Sequence, residues 1–63
     1  GEMTQRERGS LELIALGLAS KDIANKLFIS KNTVETHRKN MLAKLNVNNT
    51  AALLKIAYRK GLV

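Results

Sequence analysis

Ser30-Lys31-Asn32-Thr33-Val34-Glu35-Thr36-His37-Arg38-Lys39-Asn40-Met41-Leu42-Ala43-Lys44-Leu45 is the stretch that decides the fold. Ser30 is a preferred helix N-cap, because its hydroxyl can accept one of the orphan backbone N–H groups of a first turn. No proline follows, and Val34, Met41, Leu42 and Leu45 recur at helical spacing. At ~100° per residue the opposite face carries Asn32, Thr36, Lys39, Asn40 and Ala43. An ordinary solvated face would alternate Glu and Lys in i, i+4 pairs. Short hydrogen-bonding side chains around one lysine are instead what a helix needs to touch base edges in a major groove.

Outward from that helix, the composition narrows the class. The chain has 63 residues, enough for one domain with a core worth ~3–5 kcal/mol. It carries 11 basic and 5 acidic residues, a net charge of +6, and a pI near 10.2. Such an excess points to a polyanion, nucleic acid before an acidic membrane surface. There is no cysteine and a single histidine, which removes disulfides and most zinc sites. No apolar run approaches the ~20 residues of a membrane span and no signal-peptide pattern opens the chain, so the expected setting is cytoplasmic.

Residues 1–3 read as a linker remnant, with Met3 placed where a hydrophobic staple would sit, and residues 4–63 as one domain. Thr4-Gln5-Arg6-Glu7 is a capping box that starts a helix over 5–16. Leu11, Ile14, Ala15 and Leu18 face inward, and Gly17 ends the helix. Gly9 and Ser10 weaken its middle, the glycine by ~1 kcal/mol. Ser20 is the expected cap of a second helix over 21–27, with Asp22 in its first turn and Ile23, Ala24 and Leu27 toward the core. Phe28-Ile29 makes a tight apolar connection, and about three residues between helices is helix-turn-helix spacing. The third helix covers 31–45. Asn46-Val47-Asn48-Asn49 is a turn, and Asn49 or Thr50 caps a fourth helix over 50–60, closed by Gly61. The expected fold is all-α, a four-helix bundle containing a helix-turn-helix.

Thr4-x-Arg6-Glu7, Leu13-Ile14-Ala15-x-Gly17, Lys21-x-Ile23-Ala24-x-x-Leu27-x-Ile29-Ser30, Thr33-Val34-x-Thr36-His37, Leu45-Asn46-Val47 and Tyr58-Arg59-Lys60-Gly61-Leu62 follow one another in order. This pattern, over nearly the whole chain, resembles the LuxR/NarL/FixJ-type helix-turn-helix, most of all the output domain of a bacterial two-component response regulator. Gly9-Ser10 departs from the usual Glu-Val, which lowers the stability margin and leaves the fold intact. The resemblance implies sequence-specific binding of double-stranded DNA by a bacterial transcriptional regulator, as a homodimer on an inverted repeat. It also implies an upstream receiver or sensor domain, RNA polymerase as a further partner, and no cofactor.

The base-reading positions of that family fall on Glu35, Thr36 and Lys39. Lys39 can donate to guanine O6 or N7, Glu35 can accept from a cytosine amino group, and the Thr36 methyl can pack on a thymine methyl. For Glu35 the alternative is that it only orients a neighbouring cation; for all three it is a solvated face. Lys21, Thr33, His37 and Lys44 are candidate phosphate contacts, His37 equally a satisfied residue at the edge of the apolar stripe. Glu7 and Arg38 both fall on core-facing sides, which suggests an ion pair between the first and third helices. The alternative is that Glu7 only completes the capping box and Arg38 reaches outward. In the fourth helix Leu53, Leu54 and Ala57 pack inward, leaving Ala52 and Ile56 for a two-fold contact or for simple exposure.

An enzyme is not expected, since there is no nucleophile–base pair, phosphate loop or cofactor motif. The alternative from another class is a helical protein-interaction module that docks a partner through the fourth helix without binding DNA.

Overall fold

The computed structural model describes residues 3–63 and consists of four helices, α1 (Gln5–Ala15), α2 (Ser20–Leu27), α3 (Lys31–Lys44) and α4 (Thr50–Arg59). These lie within a residue of the expected spans. The expected linker remnant at 1–3 falls partly outside the described residues, since only Met3 is described, and Met3 packs against the core. No helix is long and apolar enough to cross a membrane, among the described residues.

Helix α3 is the centre of the arrangement, packed against each of the other three. Its Val34 and Met41 are buried with Leu11 and Ile14 of α1, Ile23 and Ala24 of α2, and Leu53 and Ala57 of α4. Leu18, Leu27, Leu42, Leu45 and Leu54 close the edge of that core, and so does Ile29. Ala15, expected to point inward, is half-buried at the periphery.

The helix starts follow local chemistry. Thr4 Oγ1 accepts the Glu7 N–H at 3.1 Å while Glu7 Oε1 accepts the Thr4 N–H at 2.9 Å, so the capping box is closed in both directions. Ser30 Oγ accepts the Thr33 N–H at 3.1 Å, and Asn49 Oδ1 accepts the Ala52 N–H at 2.8 Å. The second helix differs from expectation. Its N-cap is Ala19, which makes no side-chain cap, and Ser20 is already helical. The Ser20 hydroxyl is drawn instead to two side chains of α3, described below.

The helix ends share one device. Each of the four helices is followed by a residue in the left-handed region, Gly17 (φ 90), Phe28 (φ 57), Asn46 (φ 57) and Gly61 (φ 71). The next residue then bonds back into the last turn, as in Leu18 N–H to Leu13 O at 3.2 Å and Leu62 N–H to Ala57 O at 2.8 Å. Glycine and asparagine take this conformation readily, but a phenylalanine carries a penalty of roughly 1 kcal/mol there. Phe28 does not recover it by packing. The ring is 94% exposed, so the expected apolar connection is made by Ile29 alone.

Helix α1 carries two further costs. A Cβ built on Gly9 meets nothing within 4 Å, so the glycine weakens the helix without being required by space. Ser10 is fully buried and its Oγ has no hydrogen-bond partner, a burden of about 1–3 kcal/mol where the related pattern has a valine. Replacing residues against which the backbone works, Gly9→Ala in α1 and Phe28→Gly after α2, is expected to raise stability by about 1 kcal/mol each. Thermal melts by circular dichroism check this; an unchanged midpoint for Phe28→Gly would mean that the ring makes contacts offsetting its backbone cost.

Candidate nucleic-acid interface

On α3 the apolar stripe is turned inward, and Asn32, Thr36, Lys39, Asn40 and Ala43 are all exposed on the other side. The Thr36 hydroxyl donates to the Asn32 carbonyl at 3.0 Å. That bond fixes the hydroxyl against the helix and leaves the side chain to offer a methyl group and oxygen lone pairs. Lys39 stands one turn beyond, with its ammonium in solvent. Thus two of the three candidate base readers, Thr36 and Lys39, share one free face.

Glu35 lies on the flank of that face, half-buried. Its Oε1 accepts a hydrogen bond from the Ser20 hydroxyl, and Arg38 Nη2 stands 3.6 Å from the same oxygen. Arg38 Nη2 in turn donates to Ser20 Oγ at 2.8 Å. The Ser20 hydrogen bond, and after it the positive charges of Arg38, Lys31 and Lys39 working against desolvation, hold the Glu35 carboxyl below its ordinary value. It is therefore a carboxylate at neutral pH, and an acceptor only.

The candidate backbone contacts are less uniform. Lys21 is exposed in the first turn of α2, beside N–H groups that no side chain caps. Uncapped N–H groups at the positive end of a helix, next to a lysine, suit an oxyanion. Thr33 is half-buried and its Oγ1 lies 2.8 Å from Ser30 Oγ at the start of α3. His37 is half-buried as well.

Lys44 has a different environment. Its ammonium is 2.6 Å from Glu7 Oε1, linking the last turn of α3 to the first turn of α1. The expected pair between Glu7 and Arg38 is not formed: Glu7 is paired with Lys44, and Arg38 turns toward α2. The reason is positional. Both cations lie on sides of α3 that face other helices, and the crossing of α1 brings its first turn to the C-terminal end of α3. Burial opposes ionisation of Glu7, yet the Lys44 ammonium and the hydrogen bonds from Thr4 overcome it, so the carboxyl lies below its ordinary value.

The sequence points Ser20 to a helix cap and Arg38 to a pair with Glu7, and the structure joins both to Glu35 instead. The only signal for Arg38 was a charge on a core-facing side, which requires a partner. Nothing in the spacing named that partner.

Residues 2–57 match the family model described as bacterial regulatory proteins, luxR family. The chain belongs to the LuxR family. It is accordingly a DNA-binding helix-turn-helix domain of transcription regulation. Among LuxR-family relatives, an uncharacterized response regulatory protein of Escherichia coli K12, YgeK, is 48% identical over 95% of the chain and 41% of its own length. A nitrate/nitrite response regulator homolog of Haemophilus influenzae is 52% identical over 94% of the chain and 28% of its own length. The transcriptional regulatory protein MctR of Rhizobium johnstonii is 46% identical over 97% of the chain and 28% of its own length. The crystal structure of the response regulator ChrA, from a heme-sensing two-component system, superposes with a TM-score of 0.94 at 35% identity, covering all of this chain and 31% of that one. The chain thus spans less than half the length of these curated relatives.

Proposed function

We propose that this chain reads a specific sequence in double-stranded DNA as the output domain of a bacterial transcriptional regulator, with α3 in the major groove. The observation that carries the reading is the free outward face of α3, where Thr36 and Lys39 sit among Asn32, Asn40 and Ala43 and no other helix covers them. Thr36, Lys39 and Glu35 are assigned to base edges. Lys21 with the uncapped start of α2, Thr33 and His37 are assigned to phosphates. Lys44 is the phosphate candidate with least support, because much of its charge is balanced by Glu7.

Ala52 and Ile56 are both half-buried on α4 and are assigned to a two-fold contact between two copies. Two such copies set their α3 helices about 34 Å apart, one turn of DNA, on an inverted repeat. The larger lengths of the relatives support a further domain in the parent protein; in this reading it is an upstream receiver or sensor domain, the protein acts in the cytoplasm, and RNA polymerase is a further partner. The domain itself has no enzymatic activity in this reading.

Selection of bound sequences from a random duplex pool at near-physiological salt tests the proposal. An enriched inverted repeat is the expected result. A single enriched half-site would keep base reading but take dimerisation away from Ala52 and Ile56, which sedimentation with and without DNA would check. Absence of binding even at low salt would favour a protein-interaction module. The exposed Leu16 and Tyr58, which with Glu12, Ala15 and Val63 line an open groove beside α4, would then be its surface.

A further inference from the structure

The Ser20–Glu35–Arg38 cluster ties the first residue of α2 to the flank of α3, and neither helix needs it for its own cap. The Ser20 hydroxyl has one proton, which it donates to Glu35, and it accepts in turn from Arg38 Nη2 at 2.8 Å. Arg38 is held by that bond to Ser20, with its side chain 27% exposed, while its Nε is buried without a hydrogen-bond partner. A glutamate side chain otherwise loses much of its rotamer freedom when it is ordered. Beside phosphates, an unrestrained carboxylate would also swing away from the duplex.

We propose that Ser20, with Arg38, is a positioning residue for base recognition: it fixes Glu35 as a rigid acceptor at the edge of the groove helix, so that one base pair is selected for a donor. The chemistry of that choice is direct. The Glu35 side chain remains 45% exposed. A carboxylate held there accepts from the amino group of cytosine or adenine and opposes the carbonyl oxygens of guanine and thymine. Because Ser20 and Arg38 order it before DNA arrives, the ordering cost does not fall on binding. The inference rests on α3 entering the groove, and it extends that reading to residues that touch no base themselves.

The test is bound-sequence selection with the wild-type chain, Glu35→Ala, Ser20→Ala, Ser20→Thr and Arg38→Lys. Alanine suits a first helical turn, so Ser20→Ala is expected to fold, and a circular-dichroism melt of each variant verifies it. Discrimination of about tenfold for cytosine or adenine is expected at one position of the wild-type site. Glu35→Ala and Ser20→Ala should both flatten it to about twofold at that position alone, with the salt dependence unchanged. Ser20→Thr, which keeps the hydroxyl, should retain the preference, and Arg38→Lys should reduce it. If Ser20→Ala keeps the preference that Glu35→Ala loses, Ser20 does not position Glu35. Weakening at all positions in equal proportion would make the cluster a helix clasp, and an unchanged profile for Glu35→Ala would remove Glu35 from base reading. Each of these overturns the proposal while DNA recognition stands. A wild-type chain that enriches no sequence would overturn DNA reading itself.

Discussion

Lys44→Met is expected to lower stability by about 3 kcal/mol, which removes more than half of the stability of a domain of this size. The methionine keeps the aliphatic stem and removes only the ammonium. What remains is the Glu7 carboxylate, 2% exposed, with the Thr4 N–H as its hydrogen-bond donor. Removing one partner of a buried pair is costly because the other is left charged in a poor dielectric. The lower end of the usual range applies, since the Lys44 side chain is itself 26% exposed and partly screened. The reverse change should be milder. Glu7→Gln preserves an acceptor for the Thr4 N–H and leaves an ammonium that can turn to water, so about 1 kcal/mol is expected. Denaturant melts of the two variants check the order; equal losses would mean that the ion pair, rather than the stranded carboxylate, sets the cost.

The same pair gives a pH signature with a definite sign. In the wild type the folded-state Glu7 carboxyl lies below its ordinary value of 4.5. Its contribution is therefore fully present above that pH and is lost as the pH falls through the lower, folded-state value. Without Lys44, burial, which is the largest influence and acts to raise the value, has less to oppose it. Wild-type stability should thus fall as acid is added below about 4.5, whereas the dependence in Lys44→Met should be weaker or reversed. Melts across the range from neutral to acid decide it, and parallel curves would show that Lys44 does not control Glu7.

These charges mark the boundary of what the sequence makes legible. Exposure of Asn32, Thr36, Lys39, Asn40 and Ala43 follows from helical period alone, because once Val34 and Met41 face the core the phase of every other residue is set. The capping box at Thr4 and Glu7 and the cap at Ser30 follow equally from neighbours along the chain. The partner of Glu7 does not. Lys44 and Arg38 are both plausible on a helical wheel, and the choice is made by how α1 crosses α3, which no local pattern encodes. Ser20 illustrates the competing case, where a side chain with a strong local preference for capping is drawn away by Glu35 and Arg38 on another helix. Phe28 was illegible for the opposite reason: the left-handed turn after a helix is signalled by glycine or asparagine, and here a phenylalanine adopts it.

Lys39→Ala and Lys21→Ala are expected to weaken DNA binding in different ways, and the difference tests the division of labour across the interface. Both lysines are exposed and neither belongs to the core, so both variants should fold. Lys39 lies on the free face of α3, and alanine there is at least as good a helix former, so the helix itself loses little. Its role toward DNA is to donate to a guanine edge, worth about 1–3 kcal/mol of discrimination against the wrong base. Lys39→Ala should therefore bind the selected site more weakly by that amount while binding unrelated duplex almost as before, so that preference collapses at one base pair. Lys21 stands at the uncapped start of α2 and meets phosphate, which is the same on every sequence. Lys21→Ala should weaken selected and unrelated duplex in equal proportion, and reduce the slope of log affinity against log salt by about 1. Titrations of both variants on both duplexes at several salt concentrations separate the two. If the variants lose affinity alike on both duplexes with equal changes in slope, Lys39 neutralises phosphate as Lys21 does, and base choice must rest on Thr36 and Glu35.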